Sequence, residues 1–398
     1  MKYASIVPLI GGETLGMQRA FDGQRPEYLL SYSPFSNNDQ HIVEYYKDVP
    51  YYLLDKGQPL LDGKPLDVIN TVCPCAGLSA LSPSSSSNAP ANDWMLQTAK
   101  FVLEDLKPTV FWGENAPRLA SAMGEPVVKK LRKIAKANGY TMMIYKTKSI
   151  LHGLSQVRDR CFYFFFRGNT IPIFPYIDRD HERIEETIRG CTFNENDPMK
   201  ILTNEKRPSK DPLYRYVLEV MHKNWTHRKF WDSIELTTNP LDTIEGAGIS
   251  YHDVSKWLKS EGYPERLQAK CDRMAVKLAS GGNIMRKGVE IAKDYIGAFV
   301  GHNPFSITHP DHDRFLTIRE CLDIMCLPAD FNLVGGLKNL NHICQNVPVT
   351  TAADMATFIK RYLGSDLPSM KVDFMVIDNK AQTRFIADGN VGSLEEFL

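Results

Sequence analysis

The sequence lacks several features that would place the protein outside the class of ordinary globular proteins. It has no apolar run of the roughly 18 residues that a membrane-spanning helix needs, and its N-terminus lacks the long apolar segment of a signal peptide. Its formal net charge is zero, so the charge of the whole chain argues neither for nor against a polyanionic partner. Its eight cysteines include no CxxC pair. These absences predict a cytoplasmic protein with free thiols and no membrane partner.

The chain is long enough for a large core and for two domains. It has 398 residues, of which 43% are hydrophobic and 24% are charged. Up to about residue 178, apolar strands alternate with helical stretches. This alternation predicts a doubly wound α/β fold with a mostly parallel sheet, whose ligands lie at the carboxyl ends of the strands.

The alternating pattern stops after residue 178. Residues 179–304 are richer in charge and carry scattered aromatic residues, which predicts a second, smaller domain. Strong helical patterns return over 316–325 and over 352–363. The tail from residue 371 alternates well enough for a hairpin that turns at Asp378-Asn379.

A candidate nucleophile follows the strand predicted over residues 67–72. Cys75 stands directly after Pro74 at the end of this strand, where nearby amides can lower the pKa of a thiol and favour the attacking thiolate. The alternative is a buried structural cysteine, which is the commoner role of a single Cys. Of the two neighbouring cysteines, Cys73 is interpreted as the structural one.

Two further polar motifs adjoin apolar strands. Glu114-Asn115 follows the run 110–112, where a carboxyl can have a raised pKa and hold a proton for a ring nitrogen. Arg158 and Arg160 share one face of an extended segment, and could bind a base carbonyl, phosphates or the glutamate itself. The alternatives are a solvated loop acid and an ordinary charged strand edge. A thiol, a carboxyl and two guanidiniums at one edge of a sheet suit covalent attack on a pyrimidine ring.

Basic residues between 179 and 304 indicate contact with nucleic acid. The run 222–231 interleaves basic with aromatic residues and includes Lys223, Arg228 and Lys229, and Arg286-Lys287 adds a second basic stretch. Such side chains neutralise phosphates, although a solvated helix face would have the same composition. No metal is predicted, because the histidines at 309 and 312 lack a second pair of ligands.

Taken together, these motifs resemble those of the DNA cytosine-5 methyltransferase family. Pro74-Cys75 is similar to its Pro-Cys nucleophile motif, Glu114-Asn115 to its Glu-Asn motif, and Gln156-x-Arg158-x-Arg160 to its Gln-x-Arg-x-Arg motif. Residues 314–331 are similar to the family's segment beyond the recognition domain. The order and spacing agree over nearly the whole chain, and only the tail after about residue 370 lies outside the resemblance.

The resemblance implies a catalytic domain that is split in the sequence. Its first part is 1–178 and its second part is 305–370, with a target-recognition domain over 179–304 and a C-terminal hairpin extension over 371–398. It also implies S-adenosylmethionine as cofactor and double-stranded DNA as partner. We expect a monomer.

The family mechanism assigns a role to each catalytic residue. The target cytosine flips out of the duplex, Cys75 adds to C6, and Glu114 protonates or hydrogen-bonds N3 and the exocyclic amine. C5 then takes a methyl group, and loss of the C5 proton releases Cys75. Asn115 would hold the loop geometry, while Arg158 and Arg160 would anchor the base and the catalytic loop.

The DNA contacts are expected from the catalytic loop and from the basic stretches. They are Ser79, Gln156, Lys223, Arg228, Lys229, Arg286 and Lys287. The loop itself has no Lys or Arg between residues 72 and 99, so it would close on DNA through hydroxyl groups or on something smaller. A free nucleotide is therefore an alternative substrate.

The motifs on the cofactor side depart from the family pattern. The family's first strand ends in Phe-x-Gly-x-Gly, and Leu9 stands here where the first glycine should be. Ser31 occupies the place of the acid that holds the ribose hydroxyls, and Asp55 is the candidate for an adenine-side acid. The expected cofactor residues are Leu9, Ile10, Gly11, Gly12, Ser31, Asp55, Asn346 and Val347.

These departures leave alternatives open. The first is ordinary methylation with a divergent S-adenosylmethionine pocket. The second is the same C5 chemistry with another one-carbon donor, such as methylenetetrahydrofolate, which would give 5-hydroxymethylcytosine. The third is a catalytically silent DNA-binding paralogue, against which the intact catalytic motifs argue.

Overall fold

The computed structural model of the protein describes most of the chain. The described residues are 1–57, 65–74, 76–79, 82, 85–191, 195–204, 211–234, 240–242, 244, 248–282, 284, 291–301, 303–379, 384–387 and 390–393. The predicted nucleophile Cys75 and the predicted DNA contacts Arg286 and Lys287 lie outside the described residues.

The chain divides into two compact units. The first unit comprises residues 1–182 and 322–398, and the second unit comprises residues 183–321. The first unit is thus assembled from both ends of the sequence. The roles that the sequence assigns to its predicted domains stay predictions.

Strands and helices alternate through the first unit, as the sequence predicts. The strands are β1 Tyr3–Ile6, β2 Tyr28–Ser31, β3 Tyr51–Leu53, β4 Val68–Thr71, β5 Val110–Asn115, β6 Tyr140–Lys148, β7 Asp159–Arg167, β8 Phe374–Asp378, β9 Arg384–Ala387 and β10 Asn390–Ser393. The helices among the described residues are α1 Gly12–Ala20, α2 Ser36–Tyr45, α3 Ala91–Phe101, α4 Glu125–Ala137, α5 Ile184–Gly190, α6 Pro212–Tyr216, α7 His227–Ile234, α8 Tyr251–Ser260, α9 Glu265–Ala279, α10 Ile318–Ile324 and α11 Val349–Leu363.

Shorter elements connect these helices and strands. One π-helical turn follows α3 at Val102–Leu106 and another follows α6 at Val217–Met221. Single turns of 3₁₀ helix are Ser33–Phe35, Leu54–Lys56, Pro117–Ala120, Ser149–Leu151, Pro240–Asp242 and Asn303–Phe305, and a longer one is Gly336–Cys344. Two-residue strands are Gln156–Val157, Ile296–Gly297, and Ile171–Pro172, which pairs with Ser369–Met370.

The strands of the first unit form one sheet in the order β10-β9-β8-β6-β7-β5-β4-β1-β2-β3. Strands β3, β2, β1, β4 and β5 are mutually parallel. Strand β7 runs antiparallel to both β5 and β6, and β8 is parallel to β6. The predicted doubly wound α/β fold is confirmed.

Helices cover both faces of this sheet. Residues of α3 and α4 pack on one face, and residues of α1 and α11 pack on the other. Because both faces are covered, the run from Cys161 to Phe166 in β7 is completely buried. Helices α1 and α11 approach each other closely at Gly16, where an added Cβ would lie 2.6 Å from Cβ of Ala352.

Strand β5 is longer than the sequence predicts. The prediction placed Glu114-Asn115 after a strand over 110–112, but both residues belong to β5 and pair with Phe162 and Cys161 of β7. The strand continues because β7 supplies partners along its whole length. A polar pair at the end of an apolar run therefore marked the buried end of the strand, and not a solvated loop.

The C-terminal tail continues the sheet beyond β6. Strand β8 pairs with β6, β9 pairs with β8, and β10 pairs with β9. Asn379, which the sequence places in a turn, is buried and ties the tail to the first unit. Its Oδ1 accepts from the Ile177 amide at 2.7 Å and from the Tyr145 hydroxyl at 3.0 Å. Its Nδ2 donates to the Thr147 hydroxyl at 3.1 Å and to the Ile177 carbonyl at 2.8 Å.

The second unit is built mainly from helices α5 to α9. Its core contains apolar residues from α6, α7, α8 and α9, among them Leu213, Phe230, Leu258 and Cys271. Ser250 caps α8, because its hydroxyl accepts from the Asp253 amide while the Asp253 carboxylate accepts from the Ser250 amide. Residues 179–304 have no alternating strand–helix pattern, so these helices were not predicted individually.

The described helices are all too short or too polar to cross a lipid bilayer.

Loss of the Asn379 side chain should weaken the attachment of the tail. We expect Asn379→Ala to lower the free energy of unfolding by about 2 kcal/mol, because buried partners lose their hydrogen bonds. Asp373→Ala, at an exposed position of the same tail, is the matched control and should leave stability nearly unchanged. Urea unfolding followed by circular dichroism measures both. Equal midpoints for the two variants would contradict the anchoring role.

Candidate active site

Two of the predicted catalytic side chains, Glu114 and Arg160, meet at one edge of the sheet. This edge is formed by the carboxyl end of β5 and the amino end of β7, because the two strands are antiparallel. Glu114 at the end of β5 is 1% exposed, and Arg160 near the start of β7 is 15% exposed at its side chain. The Glu114 Oε1 and Arg160 Nε atoms form an ion pair. A buried carboxylate is therefore neutralised by a half-buried guanidinium.

The other predicted catalytic residues lie beside this pair. Arg158 is buried, and its Nη2 donates to the Cys344 carbonyl at 2.6 Å. Asn115 is buried, and its Oδ1 accepts from the Ala116 amide at 2.9 Å, which fixes the turn after β5. Gln156 is buried, with its Nε2 3.6 Å from the sulfur of Met325.

Cys73 precedes the undescribed Cys75 on the chain that leaves β4. Its thiol is 1% exposed and its sulfur lies 3.3 Å from the Thr71 hydroxyl. Burial raises the pKa of the Cys73 thiol, so this thiol stays protonated and is a poor nucleophile. Cys73 therefore has the properties of a packed core residue.

The loop after β1 has an unusual backbone. Val7 and Leu9 adopt φ angles of 52° and 53°, and Gly11 has a φ of 95°. The left-handed region is unfavourable for residues other than glycine, and most of all for a β-branched one. Leu9 thus keeps a glycine-like conformation at the place where the family pattern has glycine.

Two buried side chains hold the amides of this loop. Asp39 of α2 accepts from the Leu9 amide at 2.8 Å, and Asn346 accepts from the Ile10 amide at 3.2 Å. Leu9 and Ile10 are themselves only 8% and 1% exposed. Because the amides are occupied and the side chains point into the protein, the loop offers less open backbone than a glycine-rich loop.

The glycines of the loop are required by close packing. An added Cβ at Gly11 would lie 2.4 Å from the Ile42 side chain, and one at Gly12 would lie 2.5 Å from the Val347 carbonyl oxygen. The structure thus brings Gly11, Gly12, Asn346 and Val347 together around the start of α1, as the sequence expects of a common site.

Asp39 is a buried acid that the sequence analysis missed. Burial raises its pKa to about 6, while hydrogen bonds from Ser31, Tyr51 and the Leu9 amide act in the opposite direction. It lies in α2, beyond the strand end where an acid was sought, and reaches back to Ser31. The available signal was a single acid on the face of α2 that also carries His41 and Ile42, both buried.

Asp55 lies at the exposed end of the same region. Its Oδ1 accepts from the Ser33 amide at 2.8 Å, and the hydrogen bonds from Ser33 hold the pKa of Asp55 below its usual range. The rings of Tyr32 and Phe35 pack against that of Trp94, with centroids 4.8 and 5.2 Å away. An acid beside partly exposed aromatic rings is a suitable setting for a heteroaromatic ring with an amino group.

This set of residues fits part of S-adenosylmethionine. The aromatic rings and Asp55 suit an adenine ring, and the positive end of α1 with Gly11 and Gly12 suits an anionic group. Ser31 is completely buried and contacts Asp39, so it leaves no strand-end carboxylate for ribose hydroxyls. Asp39 is a buried acid that hydrogen-bonds Ser31 at this strand end.

Glu13 is a second buried acid that sequence analysis missed. It lies in the first turn of α1, is fully buried, and accepts a short hydrogen bond from the Asn346 side chain. Burial raises the pKa of Glu13 to about 8, and the negative charge of Glu114 adds to this rise. The only sequence signal was an acid next to the loop glycines, which also suits a helix N-terminus.

Three predicted DNA contacts lie together in the second unit. The rings of His222 and Trp225 stack at 4.0 Å, and the Lys229 ammonium lies 5.6 Å from the Trp225 ring centroid. Lys223 is exposed, whereas Arg228 is half-buried and its amide donates to Asp313 at 2.8 Å. In the first unit, Ser79 is half-buried in the loop after β4.

The histidine pair of the second unit has an ordinary polar role. His309 is buried, and its Nδ1 accepts from the amides of Asp311 and His312 at 3.0 and 3.1 Å. Within the described ranges, three or more His, Cys, Asp or Glu side chains are nowhere grouped as a metal site would need.

Comparisons with known proteins agree with this geometry. Residues 1–361 match the family of C-5 cytosine-specific DNA methylases. No curated protein sequence matches the chain.

Solved structures share the fold. A protein described as a DNA modification methyltransferase encoded within an E. coli prophage is 13% identical, with a TM-score of 0.57 over 92% of this chain and 99% of that chain. The Entamoeba histolytica methyltransferase EhMeth is 12% identical, with a TM-score of 0.52 over 91% and 98%. At these identities the likeness concerns the fold alone.

The raised pKa of Asp39 leads to a test by pH. The folded protein binds this proton more tightly than the unfolded chain, whose carboxyl has the usual pKa of 3.8. The protonated Asp39 carboxyl therefore stabilises the folded state fully below about pH 3.8, and this stabilisation is lost as the pH rises through about 6. Asp39→Asn keeps an acceptor for the Leu9 amide and should remove this dependence. Urea unfolding of both proteins across this window measures it, with Asp93→Asn as an exposed control. Parallel curves for wild type and Asp39→Asn would contradict the assignment.

Proposed function

Because the chain belongs to the C-5 cytosine-specific DNA methylase family, we propose that it transfers a one-carbon group to C5 of cytosine in double-stranded DNA through a covalent adduct with Cys75. The observation that carries this proposal is the buried ion pair of Glu114 and Arg160, with Arg158 beside it. A silent DNA-binding protein has no chemical need for a carboxyl and two guanidiniums buried at the edge of its sheet.

The reaction begins with the target base outside the duplex. Carbon chemistry at C5 needs access to both faces of the ring, which a stacked and paired cytosine does not give. Cys75 follows β4, the neighbour of β5 in the sheet, so the thiolate and Glu114 come from adjacent strand ends. We assign the attack on C6 to the Cys75 thiolate.

Glu114 activates the ring from the opposite side. Its carboxyl hydrogen-bonds N3 and the exocyclic amine, and a proton at N3 lets the ring accept the electron pair that attack at C6 displaces. C5 then becomes nucleophilic toward an electrophilic carbon. After the transfer, loss of the C5 proton restores the C5–C6 double bond and expels the Cys75 thiolate.

The arginines hold this arrangement in place. Arg160 neutralises Glu114 and fixes the orientation of its carboxyl, so that the acid need not be desolvated anew for each base. Arg158 ties this sheet edge to the segment before α11 through the Cys344 carbonyl. We assign to both residues the positioning of the base and of the catalytic loop, while Asn115 fixes the turn after β5.

The donor that we propose is S-adenosylmethionine, which supplies an electrophilic methyl group when bound. Asp55 and Tyr32 would hold its adenine, and Gly11, Gly12 and Asn346 at the start of α1 would hold its polar end. A different donor such as methylenetetrahydrofolate is the second candidate. The feature that favours this donor is the buried Ser31, which stands where the family pattern has the acid for the ribose hydroxyls.

The proposed contacts with the DNA substrate lie in the second unit. Lys229 lies over the Trp225 ring, which stacks on His222, and Lys223 is exposed in the same segment. Such cations and aromatic rings suit DNA phosphates and unstacked bases. We propose that the second unit contacts double-stranded DNA and that the protein acts as a monomer in the cytoplasm.

The proposed function predicts a modified base in DNA. Nucleoside mass spectrometry of DNA from cells that express the chain should show 5-methylcytosine, and Cys75→Ala should abolish it. In cells fed methionine with a labelled methyl group, the label should appear in the product. Unlabelled 5-hydroxymethylcytosine would instead identify a folate donor. Absence of every C5 adduct from the wild-type DNA would reject the function.

Substitution of Glu114 should affect activity and stability separately. Glu114→Gln should lower the rate of modification about a hundredfold or more, and should lower the free energy of unfolding by about 3 kcal/mol because Arg160 stays buried without its carboxylate. The double variant Glu114→Gln/Arg160→Met should regain stability without regaining activity. Glu125→Gln, an exposed acid of α4, is the control. A Glu114→Gln protein with full activity would remove Glu114 from the mechanism.

A further inference from the structure

Glu13 is a buried acid near this sheet edge that the mechanism above does not use. Its side chain is fully buried, and one carboxyl oxygen accepts a hydrogen bond from Asn346. The other oxygen, Oε1, is buried and has no hydrogen-bond partner among the described residues. A buried carboxyl with an unsatisfied oxygen is costly when ionised and much less so when that oxygen carries a proton. The geometry thus favours a neutral Glu13.

Three titratable or charged groups interact electrostatically with Glu13, and one of them, Glu114, strengthens this preference. They are Glu114 of β5, Arg158, and Tyr163 of β7. Burial is the largest cause of the raised pKa of Glu13, the charge of Glu114 is the next, and Arg158 opposes both. Burial also raises the pKa of Tyr163 far above its usual value, so this phenol stays neutral and adds no charge.

The carboxyl groups of Glu114 and Glu13 have different partners. Glu114 has the Arg160 guanidinium as an ion-pair partner. Glu13 has no such ion-pair partner among the described residues, and its carboxyl accepts a hydrogen bond from the neutral side-chain amide of Asn346. Because Glu13 is fully buried and its Oε1 has no hydrogen-bond partner among the described residues, a proton held at this sheet edge resides on Glu13. The acid that touches the base is thus the one that lacks the proton.

We propose that Glu13 is a positioning residue that stores the proton which Glu114 delivers to N3 of the cytosine. This inference rests on the proposed function. It explains how a carboxylate paired with an arginine can act as an acid, because the proton comes from its uncharged neighbour.

Protons and electron pairs are balanced over one turnover of the proposed reaction. As the Cys75 sulfur bonds to C6, the C5–C6 π pair moves to C4–C5 and the C4–N3 π pair moves to N3. N3 takes a proton through Glu114, and Glu13 is left as a carboxylate. After the transfer, loss of the C5 proton to solvent re-forms the C5–C6 double bond and breaks the C6–S bond. The N3 proton then returns through Glu114 to Glu13.

Glu13→Gln tests this role with little change of shape. The glutamine carbonyl can still accept from Asn346, but the side chain has no proton to give. Wild-type kcat should fall as the pH rises through about 8, where Glu13 loses its proton. The variant should lose this limb of the profile, and its kcat should be roughly a hundredfold lower. Its affinity for duplex DNA should stay unchanged.

Thr14→Ser is the matched control. Thr14 is the buried neighbour of Glu13 and donates to the Ser5 hydroxyl at 2.8 Å, a bond that serine can keep. This variant should retain the wild-type pH profile. A profile that changes equally in both variants would mean that Glu13 acts only through packing, and would overturn the inference.

Infrared spectroscopy supplies a readout that needs no activity. In protein with carboxyl-labelled glutamate, exposed glutamates are ionised well above their usual pKa of about 4.3. A protonated glutamate should remain in the wild type at neutral pH, titrate near 8 and be absent from Glu13→Gln. If that variant does not fold, the titration of the wild type decides, and no protonated glutamate at neutral pH overturns the inference.

The outcomes separate the two claims. A wild-type protein that forms no C5 adduct overturns the proposed function, and with it the role of Glu13 in the reaction. A wild-type protein that forms the adduct, together with a Glu13→Gln protein that keeps the wild-type pH profile, overturns only the inference about Glu13.

Discussion

The constraint on which the site depends is the burial of charge at the end of a sheet that is covered on both faces. Glu114 continues an apolar strand into this dry region, where an unpaired carboxylate would be strongly destabilising. Arg160 on the antiparallel neighbour β7 supplies the opposite charge. The antiparallel direction of β7 is essential, because it brings the start of that strand to the same edge as the end of β5.

The same constraint accounts for what the sequence could and could not predict. Apolar runs and their alternation gave the fold, and short polar motifs at strand ends gave Glu114, Asn115, Arg158 and Arg160. Glu13 and Asp39 were not predicted as buried acids, because each is a single acid within a helix, where an exposed position is the ordinary expectation. Their burial follows from contacts with Asn346 and Leu9, of which Asn346 is distant in the sequence.

The loop after β1 combines retained shape with changed chemistry. Leu9 keeps a left-handed backbone although it has a side chain, which costs about 1 kcal/mol or more. Asp39 and Asn346 compensate by holding the amides of Leu9 and Ile10. Sequence comparison alone would describe Leu9 as a lost glycine. The backbone shows that the conformation survived the substitution, with neighbouring side chains as its support.

The division of the first unit between 1–182 and 322–398 has a consequence for biosynthesis. Its central strands emerge early from the ribosome, but α11 and β8 emerge only after residues 183–321. At the usual rate of about 5–20 residues per second, the nascent sheet waits roughly 10 to 40 seconds for these partners. During that interval β6 has an open edge and α1 lacks its packing partner. The early segment is therefore a natural client for chaperones at the ribosomal exit.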